Sequence, residues 1–277
     1  MSLLKTGAAI LLASTLCVPA QAQDTTGLRG MGNANDALAW QAVGRLDADD
    51  IGFCTGTLIS PEYVLTAAHC VFSKKSGSAI KPEDLTFQAG LRNGRVAARR
   101  AISQIEVHEK YRPMVDIDRQ NIRHDVALLR LSQPIPTSEL DPFILHENEV
   151  TSGAVSVVSY GRGRENVPSR QDVCQVVVAQ AGIMGLDCDV TFGSSGAPVF
   201  THVKGRGQIV SVISGMTVYD GRRMAYGMSL PDIIAVLKHQ MWANKPKPVA
   251  TITTIEVGGD TQKKGAGGAK FFRLNGS

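Results

Sequence analysis

The chain has 277 residues and a formal net charge of +4 at pH 7, and its body from Gln23 to Trp242 is long enough for one large β-domain or two small ones. Residues 243–277 hold six Lys/Arg against two Asp/Glu, so this tail carries the surplus and the rest is close to neutral. That distribution argues against nucleic acid as a partner, since a binder should carry its charge on one face of the fold; the cluster Arg95, Arg99 and Arg100 reads as a solvated strand face.

The N-terminal residues place Lys5 before an apolar stretch from Ala8 to Leu16, followed by the small-x-small site Ala20-Gln21-Ala22. This is the pattern of a signal peptide over residues 1–22, with a mature chain starting at Gln23 in a secreted or periplasmic setting. The stretch is too short for a membrane span, which needs about 20 residues, and no other segment offers one. Cys17 goes with the discarded peptide. Cys54, Cys70, Cys174 and Cys188 remain, and an even number in an exported chain reads as two disulfides in one of three pairings. No Cys-x-x-Cys or His-Glu-x-x-His spacing suggests zinc, and Asp47, Asp49 and Asp50 read as an acidic surface turn rather than a calcium loop. No metal or organic cofactor is implied.

From Gln23 to Trp242 the texture is β. Short β-branched runs recur between turn signals at Val64-Leu65, Ile102 to Val107, Val126 to Leu131, Val155 to Tyr160, Val173 to Val178, Pro198 to Phe200 and Ile209 to Ile213. Such spacing favours barrels or sandwiches over a parallel sheet. Leu230, Ile233, Ile234, Leu237 and Met241 then follow the period of an apolar helical stripe, with Ser229, Pro231 and Asp232 as its start and Lys238 and His239 near its end. Beyond it, Lys245-Pro246-Lys247-Pro248 opens a polar, glycine-rich tail whose composition predicts disorder. Within that tail Val249 to Val257 is a candidate added strand, and Phe271 with Phe272 hints at a partner-binding end.

Three strings carry the chemistry: Thr66-Ala67-Ala68-His69-Cys70, then His124-Asp125-Val126-Ala127-Leu128-Leu129, then Gly193-Ser194-Ser195-Gly196-Ala197-Pro198. A serine hydroxyl is nearly inert at neutral pH; it needs an imidazole to take its proton and a third group to fix that ring's tautomer. His69, Asp125 and Ser195 supply these parts, in the chain order of the chymotrypsin type. With the landmarks Trp40 to Val43, Gly56 to Ile59 and Val107-His108 through Tyr111, the chain resembles the trypsin-like serine peptidases from about Trp40 to about Trp242.

The resemblance implies an all-β fold of two antiparallel barrels with the site in the cleft between them and a closing helix. Residues 23–39 would form an N-terminal, pro-like segment, 40–150 the first barrel with His69 and Asp125, and 151–242 the second with Ser195. It implies pairing of Cys54 with Cys70, and so of Cys174 with Cys188. The backbone amides of Gly193 and Ser195 would hold the oxyanion, and Gly196 would keep the turn clear of substrate. Ser214 before Gly215 resembles the strand edge that pairs with substrate backbone. Asp189, six residues before Ser195, matches the family's carboxylate for binding Arg or Lys before the scissile bond, although Thr191 replaces the usual cysteine of that wall. Ile213 stands where glutamate-preferring relatives place a histidine, against that preference.

The implied function is an exported serine endopeptidase acting on protein or peptide substrates, a monomer by default. Ser194 departs from the family, whose aspartate there pairs with a new N-terminus; Gly30-Met31-Gly32 after Arg29 does not match the expected terminus either. Loss of both halves of that ion pair predicts an oxyanion turn formed without cleavage at Arg29. The alternatives are a catalytically silent homologue that binds a partner, and an esterase that places the same triad on another fold.

Overall fold

The computed structural model describes residues 26–48, 52–115, 118–219 and 221–245. Residues 1–22, read above as a signal peptide with Cys17, and Asp49, Asp50 and the residues from 246 lie outside them. Six strands close the first barrel in the order β2-β3-β4-β7-β6-β5. These are β2 (Val43–Ala48), β3 (Gly52–Leu58), β4 (Tyr63–Thr66), β5 (Leu85–Ala89), β6 (Ala98–Val107) and β7 (Ala127–Leu131). Phe87 is fully buried inside it. Gly44 and Gly56 make that possible, because a Cβ at Gly44 would reach the Phe87 ring edge at 2.5 Å and one at Gly56 would meet Val64 Cγ1 at 2.9 Å.

The second sheet contains β1 (Leu28–Gly30), β8 (Ile144–Leu145), β9 (Gly153–Gly161), β10 (Arg164–Gln180), β11 (Ile183–Leu186), β12 (Pro198–Val203), β13 (Arg206–Tyr219) and β14 (Arg222–Met228). Its order is β1-β10-β11-β14-β13-β12-β9, and β9 pairs back onto β10, so six of these strands form a ring. The expected two-barrel, all-β architecture is therefore present. Two short strands cross the expected boundaries: β1, from the segment read as pro-like, pairs antiparallel with β10, and β8 pairs with β13 in parallel.

Two short helices, α1 (Ala34–Leu38) and α2 (Arg119–Arg123), interrupt the strands, and α3 (Pro231–Ala243) is the last element among the described residues. All five residues of the helical stripe are buried. The helix starts at Pro231 with Asp232 in its first turn, and its N-cap is Leu230, which makes no side-chain cap. It packs back on β6 and β7 of the first barrel, where buried Gln104 donates to the Met241 carbonyl (3.2 Å) and Asn244 donates to Glu106 (3.0 Å). No helix among the described residues is long and apolar enough to cross a membrane.

The halves meet along one seam. Trp40 packs on Phe143 and Phe200 with ring centroids 5.7 and 5.2 Å apart, and Tyr160 donates to the Leu91 carbonyl at 2.8 Å. The disulfides join Cys54 to Cys70 and Cys174 to Cys188, as the resemblance implied. The first ties β3 to the 3₁₀ turn over Ala68–Val71; the second ties β10 to the loop before Ser195.

Candidate active site

His69 sits on that 3₁₀ turn, at the end of β4, and Asp125 just before β7. Because β4 and β7 pair in register from Tyr63↔Arg130 to Thr66↔Ala127, their ends deliver both residues to one edge of the first barrel. The Asp125 side chain is 6% exposed and accepts from the His69 backbone amide (2.8 Å), His69 Nδ1 (2.7 Å) and Ser214 Oγ (2.5 Å). A carboxylate held this way fixes the ring with Nδ1 as the donor and Nε2 free to accept a proton. Ser214 thus reaches this group through its hydroxyl, a contact that sequence reading, which took it for a backbone edge, did not foresee.

Ser195 comes from the second half, on the loop between β11 and β12. Thr55 of β3 docks this loop: its amide donates to the Ser195 carbonyl (2.9 Å) and its hydroxyl to the Gly193 carbonyl (2.9 Å), while Tyr160 N–H donates to that hydroxyl (3.1 Å). A Cβ on Gly196, whose φ is +77°, would strike the Thr55 carbonyl, Thr66 Oγ1 and Ala67 N. Gly196 therefore gives room to the first barrel, not to substrate as expected. Thr191 to Ser194 form a turn closed by Ser194 N–H to Thr191 O (2.9 Å), with Gly193 at φ +94°, a conformation that favours glycine. The amides of Ser194, Gly196 and Ala197 all bond to carbonyls; those of Gly193 and Ser195 do not among the described residues. No hydrogen bond joins Ser195 Oγ to His69 among these residues; such bonds often tighten only with substrate bound.

A cavity of about 260 Å³ opens beside His69, Asp125 and Ser214, walled also by Tyr111, Val115, Ile122 and Tyr226. Gly193, Ser195, Asp189 and Gly215 lie outside this lining. Asp189 is exposed, its amide held by Gln171 Oε1 at 2.7 Å. A Cβ on Gly215 would run into the Tyr226 ring. A larger cavity of about 580 Å³, between Trp40, Arg170 and His202, contains none of these residues. Ligand atoms of Cys54, His69 and Cys70 lie within 4.8 Å of one another, but both sulfurs are used in the disulfide, which removes them as metal ligands.

The model of the trypsin-like peptidase domain family matches residues 54–210, more than half of the chain. The chain belongs to this family. Over 116 residues it is 37% identical to the serine protease SP24D of Anopheles gambiae, covering 40% of this chain and 37% of that one. It is 27% identical to brachyurin of Leptuca pugilator over 69% of this chain and 80% of that protein, and 31% identical to vitamin K-dependent protein C of Rattus norvegicus over 63% and 42%. The chain thus spans less than half the length of the first and third. A solved Glu endopeptidase in complex with MPD superposes with a TM-score of 0.64 over 79% of this chain and 97% of its own; at 18% identity this likeness concerns the fold.

Sequence reading missed Thr55, Arg164 and the cavity walls Val115, Ile122 and Tyr226 of this trypsin-like domain, and had Tyr111 only as a landmark. Thr55 follows a cysteine in a glycine-rich strand, and Arg164 follows Gly161-Arg162-Gly163, a string that reads as an exposed turn. Neither carries a local signal, because the contacts to the Ser195 loop span 138 residues for Thr55 and 30 for Arg164.

Proposed function

We propose that the chain is an exported serine endopeptidase that hydrolyses peptide bonds through an acyl-enzyme intermediate. The Asp125 clamp on His69 carries this reading, supported by the docking of the Ser195 loop on Thr55 and by the amides of Gly193 and Ser195, which bond to no carbonyl among the described residues. In this mechanism Ser195 Oγ attacks the scissile carbonyl as His69 Nε2 takes its proton. His69 then protonates the leaving amine, and water repeats the sequence to release the acyl group. Asp125 stabilises the imidazolium, Ser214 holds Asp125, and Gly193 N–H with Ser195 N–H meets the oxyanion. Signal-peptide removal after Ala22 and two disulfides fit an oxidising compartment.

Cleavage after Arg or Lys is the finer part of the reading and rests on Asp189. An exposed carboxylate attracts a basic side chain with only about 0.2–1 kcal/mol, so the preference it gives is roughly fivefold or less. Fluorogenic peptides that differ only in the residue before the scissile bond test both levels, with Ser195→Ala as control. Cleavage lost in the control supports the endopeptidase, and a modest basic preference lost in Asp189→Asn supports the finer assignment. Silence of the wild type toward peptides and toward a fluorophosphonate label would return the chain to the silent-homologue alternative.

A further inference from the structure

The turn that presents Gly193 and Ser195 has no carboxylate behind it, because Ser194, fully buried, stands there. Its hydroxyl is nonetheless saturated. It accepts from Thr191 N–H (3.2 Å) and from Arg164 Nη2 (3.1 Å), and lies 3.2 Å from the Tyr160 carbonyl, to which it can donate, and 3.3 Å from Ser159 Oγ.

Arg164 is the cationic member of this group. It opens β10 just after the Arg162-Gly163 turn and folds back across it, its guanidinium also donating to the Ser159 carbonyl and to Ser159 Oγ (3.0 Å). Gly161 leaves the space for this path: a Cβ there would come within 2.8 Å of Arg164 Nη2 and 2.7 Å of Thr191 Cγ2. Burial pulls the Arg164 pKa down, while Asp189 and then Glu165 oppose it and favour the charged form. The bond after Arg29 lies within β1, paired Arg29↔Arg170 on β10, with Arg29 3.3 Å from Asp36. The chain thus runs through that point as regular strand.

We infer that Arg164 is the positioning residue of the oxyanion turn, acting through Ser194, so that the turn is set by an internal guanidinium rather than by an N-terminus released at Arg29. This rests on the reading of Gly193 and Ser195 as oxyanion donors. Arg164 touches no reacting atom; its effect is to hold Ser194 and therefore the peptide planes on either side of it.

The test uses the mature full-length chain with Arg164→Met and Arg164→Lys, read by peptide kinetics and by amide hydrogen exchange without substrate. Losing one oxyanion donor costs about 10²–10³ in rate in well-studied serine peptidases. Arg164→Met is expected to lose about 10²-fold in kcat with KM changed less than about threefold, and Arg164→Lys to recover part of the loss. Exchange across 190–197 should rise in Arg164→Met while β2 to β7 keep their protection. Unchanged exchange over 190–197, or kcat within about twofold of wild type, would overturn the inference. Should the methionine variant not fold, exchange in Arg164→Lys decides: a rise confined to 190–197 supports it, and a rise throughout both halves or nowhere overturns it. Since exchange needs no substrate, an inactive wild type would sink the endopeptidase reading while leaving Arg164 to be judged by the exchange data.

Discussion

Asp125 accepts from three donors, so changing the carboxylate itself and removing one donor have different consequences. Asp125→Asn keeps the shape but puts a donor where His69 Nδ1–H must donate, which favours the wrong ring tautomer; loss of about 10⁴ in kcat is expected. Ser214→Ala removes one neutral donor and leaves the other two, so a loss of about tenfold in kcat with little change in KM is expected, since one hydrogen bond to a charged group is worth about 1.5–3 kcal/mol at most. Steady-state kinetics on one peptide substrate separate the two, and equal losses would contradict the clamp. Gly196→Ala meets the first barrel's backbone at a positive φ, so a fall in unfolding free energy of about 2 kcal/mol or more is expected from thermal melts. Of these residues, His69, Asp125 and Ser195 were legible because each lies in a local string tied to its chemistry. Thr55, the Ser214 hydroxyl contact and Arg164 were not, because their partners lie up to 138 residues away in the chain.

At the scale of elements, the seven β-branched runs correspond to β4, β6, β7, β9, β10, β12 and β13, and the apolar stripe to α3. The other strands were silent for physical reasons. β3 reads Gly-Phe-Cys-Thr-Gly-Thr-Leu; Gly56 makes room for Val64, and Thr55 and Thr57 are buried among apolar neighbours, Thr55 bonded to the Gly193 carbonyl, so its pattern does not alternate. β1 and β8 are two or three residues long and exist only by pairing with β10 and β13. The Cys174–Cys188 bridge spans 14 residues and ties β10 to the loop that leads into the Ser195 turn. Replacing both cysteines by serine is expected to cost about 3 kcal/mol in unfolding free energy, the loop-closure value for such a span. Denaturant titration of wild type against the double variant checks this, and an unchanged midpoint would count against it.

Across the whole molecule the two halves are coupled by hydrogen bonds at Thr55, by the Trp40 seam and by α3 returning to the first barrel. Acid should weaken this arrangement through His108, which packs on His124 with ring centroids 4.4 Å apart, beside Asp125 in sequence. Burial, and then His124, push the His108 pKa below 6.5. The unfolded chain therefore binds its proton first as pH falls through 6.5, and stability drops from there until the lowered folded pKa is passed. His108→Gln should flatten this part of the stability curve between pH 7.5 and 5 in thermal melts; an unaltered slope would place the acid sensitivity elsewhere. The function itself turns on whether both halves together activate one hydroxyl. The most direct measurement is active-site labelling of the purified mature chain by a fluorophosphonate, followed by peptide mapping. A single adduct on Ser195, absent in His69→Ala, is expected. Absence of label in the wild type, or label on another residue, would contradict it.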